Sequence, residues 1–241
     1  MKNLYILTGC SKGLGKALLD KLVGSEKNQV IGISRSAMES GDGFTHVELD
    51  LADSAGLIKE LSSIFPPGNF KKIVLINNAG WIGEIGPLGK LDPTGIAKIN
   101  AVNVVAPAIL INEYVRKYYD QKCEKLVVNI SSGAASKDVD GWSGYCSSKA
   151  ALNRMTRVAQ VESELKGYGI NYYALSPGIV DTPMQADIRS ADQENFSGLK
   201  KFKAFKSNNE LSSPEAVAEK VLYLIDHLDE FTEVIQDVRD F

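Results

Sequence analysis

The chain has 241 residues, 44% of them hydrophobic and 24% charged, with a formal net charge of −3. That length can bury one sizeable core, and the composition is that of an ordinary globular domain. The charge balance excludes an electrostatic footprint for nucleic acid, and no apolar run approaches the ~20 residues that cross a bilayer, so neither is an expected partner. Cys10, Cys123 and Cys146 are odd in number and far apart, which fits neither a disulfide framework nor a metal-ligand pattern. His46 and His227 are isolated, so no metal site is expected. The opening apolar run is too short for a signal peptide and leads straight into glycines, so a reducing, cytoplasmic setting is the expectation.

In chain order, Leu4–Leu7 predicts a first strand, followed by the glycine turn Thr8–Gly15 and a helix over Lys16–Val23. Val30–Ile33 and Thr45–Leu49 predict the second and third strands. Ile58–Phe65 reads as the end of a helix, closed by Pro66, Pro67 and Gly68. Ile73–Ile76 predicts strand four, and Gly80, Gly83, Gly86 and Gly89 after it predict a mobile loop. A long helix is expected over about Pro93–Tyr119, bent at Pro107. Leu126–Ile130 predicts strand five, Tyr145–Lys166 a helix and Ile170–Leu175 the next strand. Strands that are apolar throughout and alternate with helices predict a parallel sheet covered on both faces. Right-handed crossovers make such a sheet doubly wound and Rossmann-like, with ligands at the C-terminal ends of its strands. No linker, repeat or low-complexity stretch divides the chain, so residues 1–241 are expected to form a single α/β domain.

Chemistry concentrates in three places. Gly9, Gly13 and Gly15 lie where a strand turns into a helix, which aims backbone N–H groups and the positive end of the helix dipole at one spot. Glycine permits the tight turn and the close approach of a pyrophosphate; a purely structural turn is the alternative. Tyr145 and Lys149 are four apart and share a helix face. An ammonium beside a phenol favours the phenolate and lowers its pKa from ~10, giving a proton donor near neutral pH. Tyr118 and Lys122 repeat the spacing, but the position matching Ser132 before them is Val105, so that pair reads as a surface coincidence. Ser132 follows a predicted strand; its rival Ser131 would face the other side. After strand two comes Ser34-Arg35-Ser36, with no carboxylate to accept the ribose 2′-hydroxyl of NAD. Arg35, with Lys12 nearby, suits a 2′-phosphate, so NADP(H) is expected; a solvated loop arginine is the alternative.

These residues, in this order, resemble the short-chain dehydrogenase/reductase family along the whole chain. Thr8–Gly15 resembles its cofactor loop, with Cys10 where alanine or serine is more usual. Asn77-Asn78-Ala79-Gly80 resembles its Asn-Asn-Ala-Gly motif, and Pro177–Thr182 its Pro-Gly…Thr segment. The resemblance implies that Tyr145 is the proton donor, that Lys149 holds its pKa down and binds the nicotinamide ribose, and that Ser132 hydrogen-bonds the substrate oxygen. Asn103 matches the family's helix asparagine that holds a water for proton supply, with Asn100 close by in sequence. Implied cofactor contacts are Gly9, Ser11, Lys12, Gly13, Leu14, Gly15 and Arg35, then Asp50 and Leu51 near the adenine. Asn78, Ala79, Gly80, Tyr145, Lys149, Pro177, Gly178, Ile179 and Thr182 continue the set toward the nicotinamide. For Asp50 a helix-capping role competes, although Asp53 and Ser54 are better placed for it. A homodimer or homotetramer is also implied.

Within the family, Gly144–Lys149, Asp181–Gln185 and Asp237–Phe241 resemble the sepiapterin reductase and benzil reductase group. Asp237 matches a pterin-binding aspartate there; a solvated charge explains it as well. Residues 184–213 interleave Met184, Ile188, Phe196, Leu199, Phe202 and Phe205 with charges, among them Lys200, Lys201, Lys203 and Lys206. A lid over an apolar carbonyl compound is expected; a partner helix, a plain surface helix pair and, for the lysine–phenylalanine cluster, aromatic-plus-basic nucleic-acid binding are the alternatives. The expected activity is NADPH-dependent reduction of a diketone, quinone-like or pterin side-chain ketone. Two other readings are an NADP-binding regulator without chemistry and an S-adenosylmethionine methyltransferase. The latter leaves Tyr145 and Lys149 without a role.

Overall fold

Seven strands form one sheet in the computed structural model, which describes all 241 residues. They are β1 (Asn3–Thr8), β2 (Asn28–Ser34), β3 (Phe44–Glu48), β4 (Lys72–Asn77), β5 (Glu124–Ile130), β6 (Ile170–Ser176) and β7 (Ile235–Asp237). Their spatial order is β3-β2-β1-β4-β5-β6-β7, every pairing parallel. The order reverses between β1 and β4, and that switch point opens the crevice where such sheets bind ligands.

Helices α1 (Gly13–Val23) and α8 (Pro214–Asp226) cover one face; α2 (Ser54–Ile64) and α4 (Ala106–Tyr118) cover the other. Successive strand residues point to opposite faces, so β1 feeds both cores. Tyr5 and Leu7 meet Leu18 of α1 and Val221 of α8, whereas Leu4 and Ile6 meet Leu57 of α2 and Tyr114 of α4. Ile6 is fully buried, and truncating such a residue to alanine costs ~2–5 kcal/mol. The helix starts carry their own signals: the Asp53 side chain accepts the Gly56 N–H at 2.9 Å, and Ser213 accepts that of Ala216 at 3.2 Å ahead of Pro214. The long α5 (Ser143–Lys166) ends at Gly167, whose φ of +65° reverses the chain.

Four expectations need correction. The long helix does not simply bend at Pro107. It runs as α3 (Pro93–Asn100), a π-helical turn over Ala101–Val105, then α4, because Pro107 has no N–H for the carbonyl four residues earlier. Within Pro93–Tyr118 an 18-residue window is apolar enough to cross a membrane by composition, at mean hydropathy 1.6. Yet Leu110, Tyr114 and Tyr118 are fully buried against the sheet, as in a core helix. Tyr118 is therefore no surface residue; its hydroxyl donates to the Pro66 carbonyl at 2.8 Å, at the end of the sheet remote from the glycine turn. The glycine-rich loop after β4 is pinned rather than loose. The Trp81 N–H and carbonyl both bond the Asn103 side chain at 2.9 Å, and the Gly86 N–H donates to the Gly141 carbonyl at 3.0 Å.

Candidate active site

The glycine turn is closed by contacts that leave no room for side chains. Gly9 has φ +71°, and a Cβ on it would lie 2.9 Å from Asn78 Nδ2 and 3.0 Å from Ala79 Cα. On Gly15 it would lie 2.1 Å from the Gly9 carbonyl oxygen. Asn78 donates to the Thr8 carbonyl at 2.9 Å, while Thr8 Oγ1 accepts the N–H groups of Asn78 and Ala79. Thus the Asn-Asn-Ala-Gly segment clamps β4 to the turn. Gly13 meets the third segment, since its Cβ would stand 3.1 Å from Thr182 Cγ2. Helix α1 starts with no side-chain cap and no acid in its first turn, so its first N–H groups stay available to an anion. Leu14 and Leu51 bury their side chains in the two cores.

The end of β2 carries Arg35, exposed, beside a turn whose Gly9 N–H donates to the Ile33 carbonyl at 2.8 Å. Lys12 is exposed at the start of α1, and neither cation belongs to an ion pair. Asp50 holds a local turn, accepting the Ala52 N–H at 3.0 Å, and Asp53 is the cap of α2. Asp50 is thus not spent on capping a helix.

Tyr145 and Lys149 lie on the inner face of α5, 7% and 3% exposed. Lys149 Nζ donates to the Ile130 carbonyl at the end of β5, 2.8 Å away, and lies 5.8 Å from the Tyr145 ring centre. No carboxylate joins them. Burial accordingly draws the Lys149 ammonium down to about 8 and pushes the Tyr145 phenol up to about 12, against a downward pull from the Ser132 hydroxyl. The Tyr-x-x-x-Lys spacing predicts a lowered phenol, but desolvation by burial dominates and raises it. Ser132 follows β5 and heads the 3₁₀ turn Gly133–Ser136, its Oγ accepting the Ala134 N–H at 3.1 Å. Ser131 turns away and donates to Asn153 Oδ1 at 2.5 Å.

Asn103 is 1% exposed within the π turn, and its amide also bonds Ser148 Oγ at 3.0 Å. Ser148 in turn donates to the Tyr145 carbonyl. Asn100 points outward, bonded only to the Ile96 carbonyl. A Cβ on Gly80 would come 3.4 Å from Lys149 Nζ and 3.7 Å from Asn103 Oδ1, so the loop after β4 floors this group. Pro177, Gly178 (φ +70°) and Ile179 leave β6 beside it, with the Ile179 carbonyl held by the Ser212 N–H at 2.9 Å.

Over Tyr145 stands an apolar wall. Met184 Sδ is 3.9 Å from the hydroxyl, and the Trp142 ring meets Tyr145 edge-on at 5.7 Å. Phe196 stacks on Trp142 at 5.2 Å, and Phe202 contacts both rings at 5.3 Å. Met184, Phe196 and Phe202 come from α6 (Pro183–Arg189), the segment after it and α7 (Leu199–Ser207), and Trp142 stands just before α5. On α7 the phenylalanines face inward and Lys200, Lys201 and Lys203 outward, an amphipathic arrangement. Trp142, Ser148 and Asn153 were not singled out from sequence. Trp142 and Ser148 stand three residues either side of Tyr145, a spacing that marks one helix face and was the available signal. Asp237 ends β7 with its carboxylate gripped by Arg239 at 2.8 and 2.5 Å, which draws it down, with Lys137 adding a smaller pull.

Residues 3–193 match the family model described as short chain dehydrogenase. The chain belongs to the short-chain dehydrogenase/reductase family. It is 36% identical over 232 residues to benzil reductase ((S)-benzoin forming) of Bacillus cereus, covering 92% of this chain and 93% of that one. It is 29% identical over 242 residues to sepiapterin reductase of Meriones unguiculatus, covering 91% and 90%. A solved short-chain dehydrogenase/reductase of Saccharomyces cerevisiae matches with TM-score 0.82 at 25% identity, covering 99% of this chain and 96% of that one. The protein is thus an oxidoreductase that acts on carbonyl or CH–OH groups of small molecules with a nicotinamide cofactor. The methyltransferase and regulator readings fall.

Proposed function

We propose that the protein is an NADPH-dependent carbonyl reductase that reduces an apolar ketone, with Tyr145 as proton donor. The observation that carries this is the burial of Tyr145 and Lys149 side by side on α5, facing Ser132 and roofed by aromatic rings. When bound, NADPH supplies the hydride that reaches the carbonyl carbon. Tyr145 gives its proton to the carbonyl oxygen, and Ser132 donates a hydrogen bond to the same oxygen as charge develops. Lys149, poised near 8, returns a proton to Tyr145 and holds the nicotinamide ribose. Asn103 holds the loop after β4 in place and belongs to the proton supply.

The residues fit the dinucleotide. Gly9, Gly13 and Gly15 admit the pyrophosphate at the start of α1, with Ser11 and the Leu14 backbone beside them. Lys12 and Arg35, unpaired, take the 2′-phosphate. Asp50 and Leu51 border the adenine; Asn78, Ala79 and Gly80 border the ribose. Pro177, Gly178, Ile179 and Thr182 hold the carboxamide. Residues 184–213 act as a substrate lid, and their rings suit a flat diketone of the benzil type. A pterin side-chain ketone is the second reading, favoured by Asp237, which stands at the same end of the sheet. Exposed Val158, Val161 and Leu165 on α5 support self-association into a dimer or tetramer, and three free cysteines support a cytoplasmic setting.

NADPH oxidation followed against α-diketones, sepiapterin, aldehydes and sugars tests this. Turnover is expected with benzil-like diketones and none with sugars; activity confined to sugars or to NADH would refute the assignment.

A further inference from the structure

Between the 3₁₀ turn and α5 the chain passes through Asp140, Gly141 and Trp142, and three loops meet there. Both oxygens of the Asp140 carboxylate are taken by one residue of the opposite segment. Ser197 donates its N–H to Oδ2 and its hydroxyl to Oδ1, each at 2.8 Å. These bonds draw the carboxyl below its ordinary range. Gly141 is left-handed, at φ +76°, and its carbonyl accepts the Gly86 N–H. A Cβ on it would lie 2.3 Å from the Asn195 carbonyl oxygen, so the two backbones approach as closely as glycine alone permits. Phe196, between those two contact residues, is 1% exposed and stacks on Trp142, which meets Tyr145 edge-on.

We propose that Asp140 and Gly141 are positioning residues. They latch the segment carrying Phe196 in its closed place and, through Trp142, set where Tyr145 stands over the substrate. The latch rests on the reading of 184–213 as a substrate lid. A single exposed hydrogen bond contributes little, but two on one carboxylate are charge-assisted and fix an orientation. Losing them also frees Phe196 to leave Trp142, which opens the apolar wall over a bulky substrate more than over a small one.

The test is Asp140→Ala in the full chain, followed by amide hydrogen exchange over residues 192–208 and by kinetics with benzil and butanedione. Exchange is expected to quicken roughly tenfold, the worth of about one net hydrogen bond. KM for benzil should rise more than KM for butanedione, with NADPH affinity unaltered. Ser197→Thr, which keeps the hydroxyl and the N–H, should retain parent behaviour, and Ser197→Ala should fall between. Unchanged exchange in Asp140→Ala overturns the latch, as does faster exchange without a change in KM for benzil. A variant shortened within residues 191–208 separates the two readings. If shortening alters benzil kinetics and Asp140→Ala does not, the latch fails and the lid stands; if neither does, the lid reading fails and takes the latch with it.

Discussion

Replacing Lys149 by methionine separates the stability of this site from its chemistry. Lys149 is 3% exposed with one hydrogen bond to a backbone carbonyl and no carboxylate partner. Its pKa falls from 10.5 to about 8 in the fold because burial penalises the ammonium. Between those two values the unfolded chain binds more protons than the folded one, so stability rises with pH across that window. Below pH 8 the folded protein carries the full penalty of a buried charge; above 10.5 it carries none. The shift corresponds to about 3 kcal/mol in all, of which about 2 kcal/mol is recovered between pH 7 and pH 10. Methionine fills similar space without a charge, though it leaves the Ile130 carbonyl unpaired at a cost of ~1–3 kcal/mol. At pH 7 these effects roughly offset. The Tyr145 phenol, raised to about 12, lowers stability only above pH 10 and does so in both proteins. Urea unfolding at pH 7, 8, 9 and 10 gives the difference between the parent and Lys149→Met. That difference should move in favour of the parent by about 2 kcal/mol from pH 7 to pH 10. A flat difference would refute the assignment of a penalised ammonium. Turnover should be lost in the variant at every pH.

Arg35→Asp should weaken NADPH binding at least tenfold and leave NADH binding level or improved, as charge-assisted bonds contribute ~1.5–3 kcal/mol each; fluorescence titration with both dinucleotides checks it. In the parent, added salt should weaken NADPH binding more than NADH binding, because Arg35 is exposed and screened. Shortening residues 191–208 should raise KM and lower kcat for bulky ketones without abolishing NADPH binding, as steady-state kinetics will show. Gly9→Ala should destabilise the fold by ~1–3 kcal/mol and impair binding of either dinucleotide, because the Cβ meets Asn78 and φ is +71°. Thermal unfolding and titration report both effects.

The strands were legible because this sheet is buried on both faces. β1, β4 and β5 each carry a continuous apolar run of three or four residues at their centre, and each glycine, Asn-Asn-Ala-Gly or serine motif follows a strand end. β7 was not legible, since three half-buried residues paired only to β6 carry no apolar run. The π turn at Asn103 was read only as a bend at Pro107, because a missing N–H says that a helix must adjust and not how. Likewise four glycines suggested looseness after β4, where the Asn103 side chain in fact satisfies the backbone of Trp81. The i,i+4 spacing correctly put Tyr145 and Lys149 on one face but gave no measure of burial. Burial reverses the expected shift of the phenol. Spacing likewise made Tyr118 look superficial, while its ring packs with Phe65 and Tyr114 in the core.

Turnover of NADPH with benzil in Tyr145→Phe, beside the parent and Tyr118→Phe, tests the central claim most directly. The ring and its contact with Trp142 remain, so only the hydroxyl is removed. In Tyr145→Phe, kcat should fall roughly 10²–10⁴-fold with NADPH affinity near that of the parent, the usual worth of a positioned acid. Tyr118→Phe should keep parent turnover and lose only the stability of its bond to Pro66. Retained turnover in Tyr145→Phe would contradict the account.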